Sequence, residues 1–303
     1  MYFPYLRGRQ SELLAIRTLL EKKRLSERVV PIIEPIKPTA TLRKTLEAFI
    51  NHRRELYIVA NPQVGEFHKE VNSSSESSDE FNELINNDQF KKVTIITREQ
   101  DINKDQSAYI FGNADHLAWF KQGDEKGDSK LLFIPDQSDF RRGLSSEKKR
   151  VLQVNHFKPE TRNADYLPLS PRPFTSDHLH YAKEGYYGFS DYSIVGTSFM
   201  EGGFAPRAVA IHMVYFTEHD ELRIRHFTSE TNDDITNPAG KFNEALSKLV
   251  NYFKGDPRNK TLGLTKFREH HDNGTYPGLG SAKQLSIMHH LELMGDYLKG
   301  DKK

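Results

Sequence analysis

The sequence has no cysteine, which excludes disulfides, thiolate nucleophiles and Cys-based zinc or iron–sulfur sites. That absence fits a reducing compartment, and a cytoplasmic location is expected. Net charge is lacking too: 43 Lys and Arg stand against 42 Asp and Glu, a formal charge of +1. Overall charge therefore gives no support to a nucleic-acid or membrane partner and leaves only a local basic patch for such a role. No run approaches the ~18 apolar residues of a membrane span. The opening residues Met1-Tyr2-Phe3-Pro4-Tyr5-Leu6-Arg7 lack a signal-peptide pattern, so no membrane partner is expected. G-x-S-x-G, H-E-x-x-H, dinucleotide-fingerprint and P-loop patterns are all missing. Apolar residues make up only 36%, yet a chain of this length buries about three quarters of its unfolded surface on folding.

What is present is an alternation. Short apolar runs at Tyr2–Arg7, Val29–Ile36, Leu56–Ala60, Val93–Thr97, Ala108–Phe111, Leu131–Pro135, Val151–Val154 and Gly188–Val195 read as buried parallel strands. Amphipathic stretches lie between them, carried by Leu13, Ile16 and Leu19, by Leu42, Leu46 and Phe49, and by Phe81, Leu84 and Ile85. Eight strand candidates predict an α/β fold of the (β/α)8 TIM-barrel type, with an open doubly wound parallel sheet as the alternative. The polar stretch Asn72–Glu80 reads as a helix-entry loop, and Gly123–Ser129 as an exposed turn. Beyond residue 200 the alternation stops. Val209–Phe216 and Leu222–Ser229 predict a β-hairpin, followed by a helix through Phe242–Phe253 and another over Ser281–Leu298. The expected division is a barrel-like core over 1–200 and a C-terminal hairpin-helix region over 201–303.

In such folds ligands gather at the carboxyl ends of the strands. Arg7, Glu34, Lys37, Asn61, Arg98 and Asp191 fall there. Glu34 stands inside the apolar run Val29–Ile36, and a buried carboxylate requires a cation, a metal or a donor beside it. Arg7 or Lys37 can serve, either in an acid–base or metal site or in an ion pair that ties two strands. Period two groups Asp191 with Phe189, and the expectation is that Asp191 points into the barrel mouth as a second carboxylate. His178 and His180 form an H-x-H pair, the candidate metal ligands, with no third ligand evident. His212 and His226 lie at similar distances from the hairpin loop and are expected as cross-strand neighbours. Gly278, Gly280, Ser281 and Lys283 form a Gly-rich helix entry suited to an anion, or an ordinary turn with Ser281 as the helix cap. The basic groups Lys91-Lys92 and Lys148-Lys149-Arg150 read as solvated faces.

The blocks Tyr2-Phe3-Pro4-Tyr5-Leu6-Arg7-Gly8-Arg9-Gln10 with Glu12-Leu13, Pro31-Ile32-Ile33-Glu34-Pro35, Gly188-Phe189-Ser190-Asp191-Tyr192, and Tyr276-Pro277-Gly278-Leu279-Gly280 with Ser286-Ile287-Met288-His289-His290-Leu291 span nearly the whole chain. Through them the chain resembles an uncharacterised bacterial protein family. The first three blocks are more distantly similar to the phage beta-protein family. Such families are associated with mobile elements and anti-phage defence neighbourhoods, sometimes beside a nuclease-like protein. The resemblance implies a cytoplasmic role in phage–host conflict and transfers no catalytic residue.

Together these readings predict a barrel that recognises or hydrolyses a phosphate-bearing ligand, a nucleotide or a nucleic-acid end, and in the hydrolytic case a metal-assisted hydrolase or phosphodiesterase. Glu34 and Asp191 would supply acid–base chemistry or hold a divalent metal. Arg7, Lys37 and Arg98 would hold anionic oxygens, with Asn61 on the same rim and Gly278–Lys283 adding an anion loop. The alternative is a non-catalytic sensor or partner subunit of a nuclease-containing defence complex. Direct RNA or DNA binding through the arginines is a third reading, marked by steep salt dependence.

Overall fold

Each of the eight apolar runs becomes a short parallel strand in the computed structural model, which describes residues 1–71, 76–102, 106–123, 130–169, 171–199 and 206–300. The expected loop Asn72–Glu80 and turn Gly123–Ser129 lie partly outside those residues. The strands are β1 (Tyr5–Leu6), β2 (Ile32–Ile33), β3 (Leu56–Val59), β4 (Phe90–Ile95), β5 (Ala108–Ile110), β6 (Leu131–Ile134), β7 (Arg150–Gln153) and, after an excursion containing β8 (Arg172–Thr175), β9 (Gly188–Ser190). They pair in the order β1-β2-β3-β4-β5-β6-β7-β9. The sheet then closes on itself. Tyr2 bridges Phe189 in parallel, and the amides of Phe3 and Tyr5 donate to the carbonyls of Phe189 and Asp191, each at 2.8 Å. The result is a TIM-barrel-like parallel sheet rather than an open one.

Alternation along the strands fills the interior. Phe3, Tyr5, Val30, Ile32, Tyr57 and Phe133 are among the side chains of one buried cluster. Phe3, Tyr57 and Phe133 meet edge to face at centroid distances of 5.5 to 6.4 Å, a favourable arrangement of ring quadrupoles. Gly188 makes room for this at the closing seam, because an added Cβ would lie 2.7 Å from the Phe3 ring and 2.7 Å from the Met1 carbonyl oxygen. β9 stops earlier than the run Gly188–Val195 suggests. Ser193 adopts φ +50°, a left-handed conformation that ends the extended chain.

Helices α1 (Gln10–Glu21), α2 (Ala40–Asn51), α3 (Phe67–Val71), α4 (Glu76–Ile85), α5 (Ala114–Gln122), α6 (Ser138–Gly143) and α7 (Asp177–His180) intervene between strands. Side-chain oxygens cap two of them: Thr39 accepts from the Leu42 amide, and Asn113 from those of Asp115 and His116. Between β4 and β5 the described residues hold only a single 3-10 turn, Glu99–Asp101.

The chain divides into two compact units, and the boundary differs from the one expected at residue 200. The first comprises Met1–Arg9, Glu27–Asn155 and Asp177–Tyr192; the second Gln10–Ser26, His156–Ser176 and Ser193–Lys303. In the second, β10 (Ala210–Phe216) and β11 (Leu222–Thr228) form the expected hairpin. β8 adds antiparallel to β11. Helices α8 (Pro238–Tyr252), α9 (Leu262–Asp272) and α10 (Leu279–Lys299) complete it. Helix α1 joins this unit because it packs on α10, burying Leu13, Ile16 and Leu19. Pairing of β8 with β11 recruits the 156–176 segment in the same way. Among the described residues no helix is long and apolar enough to cross a membrane.

Candidate functional site

At the carboxyl end of the barrel, β1 leads into Arg7 and β2 into Glu34. Glu34 is 2% exposed, and both of its oxygens are engaged. Oε2 accepts from the Tyr5 hydroxyl at 2.7 Å, Oε1 accepts from the Gln63 amide at 2.7 Å, and Arg7 Nε lies 3.5 Å from Oε2. Gly8 makes this approach feasible at φ +58°, since a Cβ there would meet the Glu34 carbonyl oxygen at 3.0 Å. The Arg7 guanidinium also lies 5.8 Å from the centroid of the Tyr192 ring, which packs 5.0 Å from that of Tyr5. Burial, reinforced by the Glu34 charge, pushes the Tyr5 hydroxyl well above its ordinary value, so it remains a donor. Burial likewise raises Tyr192 to about 12, against the opposing pull of Arg7. Glu34 thereby ties the ends of β1 and β2 to the loop after β3, with one donor on each oxygen and Arg7 beside Oε2.

Two of the other expected rim residues have local duties. Asn61 ties β3 to β4, donating to the Ile95 carbonyl at 2.7 Å and accepting from the Ile95 amide at 2.9 Å. Arg98 pairs with Asp101 at 3.2 Å and is 74% exposed. Lys37 is half-buried in the loop after β2.

Asp191 does not point into the barrel mouth. Its Oδ1 accepts from the Tyr2 hydroxyl at 2.7 Å, and Tyr2 stacks on Phe189 with centroids 5.1 Å apart. Asp191 and Phe189 do share a face, as period two requires, but it is the face opposite the barrel interior. Gly188 sits against Phe3, and Tyr192 packs on the interior cluster. The inward positions thus belong to the other parity. Glu34 and Asp191 lie at the same end of the barrel and do not converge.

The H-x-H pair is helical, on α7. At 3.6 residues per turn two positions apart project about 200° from one another; His178 is buried and His180 exposed. Among the described residues no group of three or more His, Cys, Asp or Glu side chains converges as a metal site requires.

A histidine pair lies in the second unit. His212 and His226 are direct cross-strand partners, with their Nδ1 atoms 2.8 Å apart and the Tyr166 ring 4.6 and 4.4 Å from theirs. Burial holds His226 down at about 4, with Arg172 adding to the effect. Burial, then His226, Lys283 and Arg172, pushes His212 well below its ordinary value. His289 and His290, on α10, are also buried; they bond to Thr261 at 2.7 Å and to Ser193 at 2.9 Å. The Gly-rich entry belongs to this unit as well. Gly278, not Ser281, is the cap of α10 at φ +89° with no side-chain bond; Gly280, Ser281 and Lys283 lie within the helix.

A cavity of about 390 Å³ opens at the amino end of the barrel, opposite the expected rim. Its lining includes Lys91, Lys130, Lys149, Glu55, Tyr57 and Tyr187. Glu55 immediately precedes β3, Lys91 is the second residue of β4, and Lys130 and Lys149 immediately precede β6 and β7. Lys91 Nζ lies 2.6 Å from Glu55 and 5.7 Å from the centroid of Tyr57; Lys130 lies over Tyr109 at 5.2 Å. Burial, with the Glu55 charge next, raises the Tyr57 hydroxyl and keeps it protonated. The sequence carried a signal for this cluster. Lys91 and Lys149 have the inward parity of Val93 and Val151 at the mouths of their strands.

No family model, curated protein or solved structure matches the chain.

Proposed function

We propose that the barrel recognises a phosphate-bearing small molecule in its amino-end cavity, with Lys91 and Lys149 as the anion contacts. The observation that carries this reading is the lining itself, three lysines against one carboxylate, Glu55, in a single concavity. Ammonium groups are compact point charges suited to phosphate oxygens. The volume of about 390 Å³ falls within the ~300–1,000 Å³ of small-molecule sites. Barrel enzymes perform chemistry at the carboxyl ends of their strands, so a cavity at the amino end supports recognition over turnover. The engagement of both Glu34 oxygens supports the same choice. The resemblance to defence-associated families supports placing this recognition in a bacterial anti-phage system, with the barrel as the ligand-sensing partner of a nuclease-like protein.

Calorimetric titration with pyrophosphate, ribose phosphate and ribonucleoside monophosphates tests the reading. Lys91→Gln and Lys149→Gln, with folding checked by circular dichroism, are each expected to weaken binding by about tenfold, the scale of one charge-assisted contact. Failure of every phosphate compound to bind, or equal binding by wild type and both variants, would contradict it.

A further inference from the structure

The same cavity carries a second kind of surface. Tyr187, on its lining, is 44% exposed, while its amide is fixed by a 2.8 Å bond to the Arg150 carbonyl. Its ring lies 6.3 Å from that of Phe3 at a tilt of 34°, so one side is supported by the barrel floor. An aromatic ring anchored in this way offers a planar ligand a stacking platform whose position is already set. Polar groups able to meet the edge of a heterocycle share the lining: the Gln106 amide, the Ser107 hydroxyl and the Glu55 carboxylate. Gln106 is oriented by the Thr94 hydroxyl, which donates to its Oε1 at 2.8 Å; that bond leaves the amide NH2 to donate elsewhere.

Resting on the reading above, we infer that the ligand is a nucleotide, its phosphate held by the lysines and its base stacked on Tyr187. A bare phosphate or sugar phosphate would use the lysines and leave the ring exposed. Stacking on a single ring is tolerant of base identity, since every base has a π-face.

The test compares the four ribonucleoside monophosphates with ribose phosphate by calorimetry, in wild type, Tyr187→Ala and Tyr187→Phe. Wild type is expected to prefer at least one monophosphate by about tenfold, the scale of base–aromatic stacking. Tyr187→Ala is expected to erase that margin while leaving ribose phosphate affinity unchanged, and Tyr187→Phe to retain it. Equal wild-type affinity for ribose phosphate and all four monophosphates overturns the nucleotide assignment and leaves phosphate recognition standing. A margin that survives in Tyr187→Ala overturns the stacking role. Absence of binding by any of these compounds removes both.

Discussion

Glu34 and Asp191 lie at the same end of the barrel on strands that flank β1, yet they face opposite sides of its wall. Glu34 is bonded to Tyr5 from the interior cluster, Asp191 to Tyr2 on the other face. Two acids so arranged cannot share a substrate or a metal, and each acts on its own strand junction.

The Asp191–Tyr2 bond is expected to appear as a coupling energy. Tyr2 is fully buried and Asp191 is 1% exposed. Asp191→Asn and Tyr2→Phe, combined in a double-mutant cycle by urea unfolding, should couple by about 1–3 kcal/mol, the range for a hydrogen bond to a charged group. Strict additivity would show that the bond contributes nothing specific.

Glu34→Gln retains shape but places an amide NH2 where one oxygen now accepts a donor. A stability loss of about 1–3 kcal/mol is expected from the buried mismatch. Phosphate-compound binding at the amino-end cavity should not change. An unaltered unfolding midpoint together with lost binding would reassign Glu34 to the ligand.

Closure of the sheet can be tested at Gly188. A Cβ there meets Phe3 and the Met1 carbonyl at 2.7 Å, so Gly188→Ala should cost about 1–3 kcal/mol through overpacking. Wild-type stability in this variant would mean that the seam is open.

Much of the fold is readable from the sequence because the barrel strands are buried on both faces and stand out as apolar runs. β8 escapes that test: it carries Arg172 and Pro173 and is held by pairing with β11, not by its own hydrophobicity. The place of α1 in the second unit rests on contact with α10, far away in sequence. For Asp191, period two gives the residues that share a face but not which face is inside; Phe3 and Gly188 decide that at the seam. The cavity lysines are legible only in part: Lys91 and Lys149 share the inward parity of Val93 and Val151, but a lysine at the start of a strand resembles any solvated charge until the barrel closes and brings Lys91, Lys130 and Lys149 around one opening.

Stability should fall on mild acidification. His226 and His289 are held at about 4 and His212 is also well below its ordinary value, against about 6.5 in an unfolded chain. Between those values the unfolded state takes up protons that the native state refuses. Stability is therefore complete above about pH 6.5 and declines towards about pH 4, by up to about 1.4 kcal/mol per pH unit for each histidine. Urea midpoints measured from about pH 7 to about pH 5 check the sign. A flat response, or greater stability at the acidic end, would contradict the buried neutral pair.

The central claim, that the amino-end cavity takes the ligand, is tested most directly by a crystal structure grown with a saturating ribonucleoside monophosphate. The account predicts phosphate density against Lys91 and Lys149, with the base over Tyr187. Density beside Arg7 at the carboxyl end, or an unfilled lysine cavity under saturation, would contradict it.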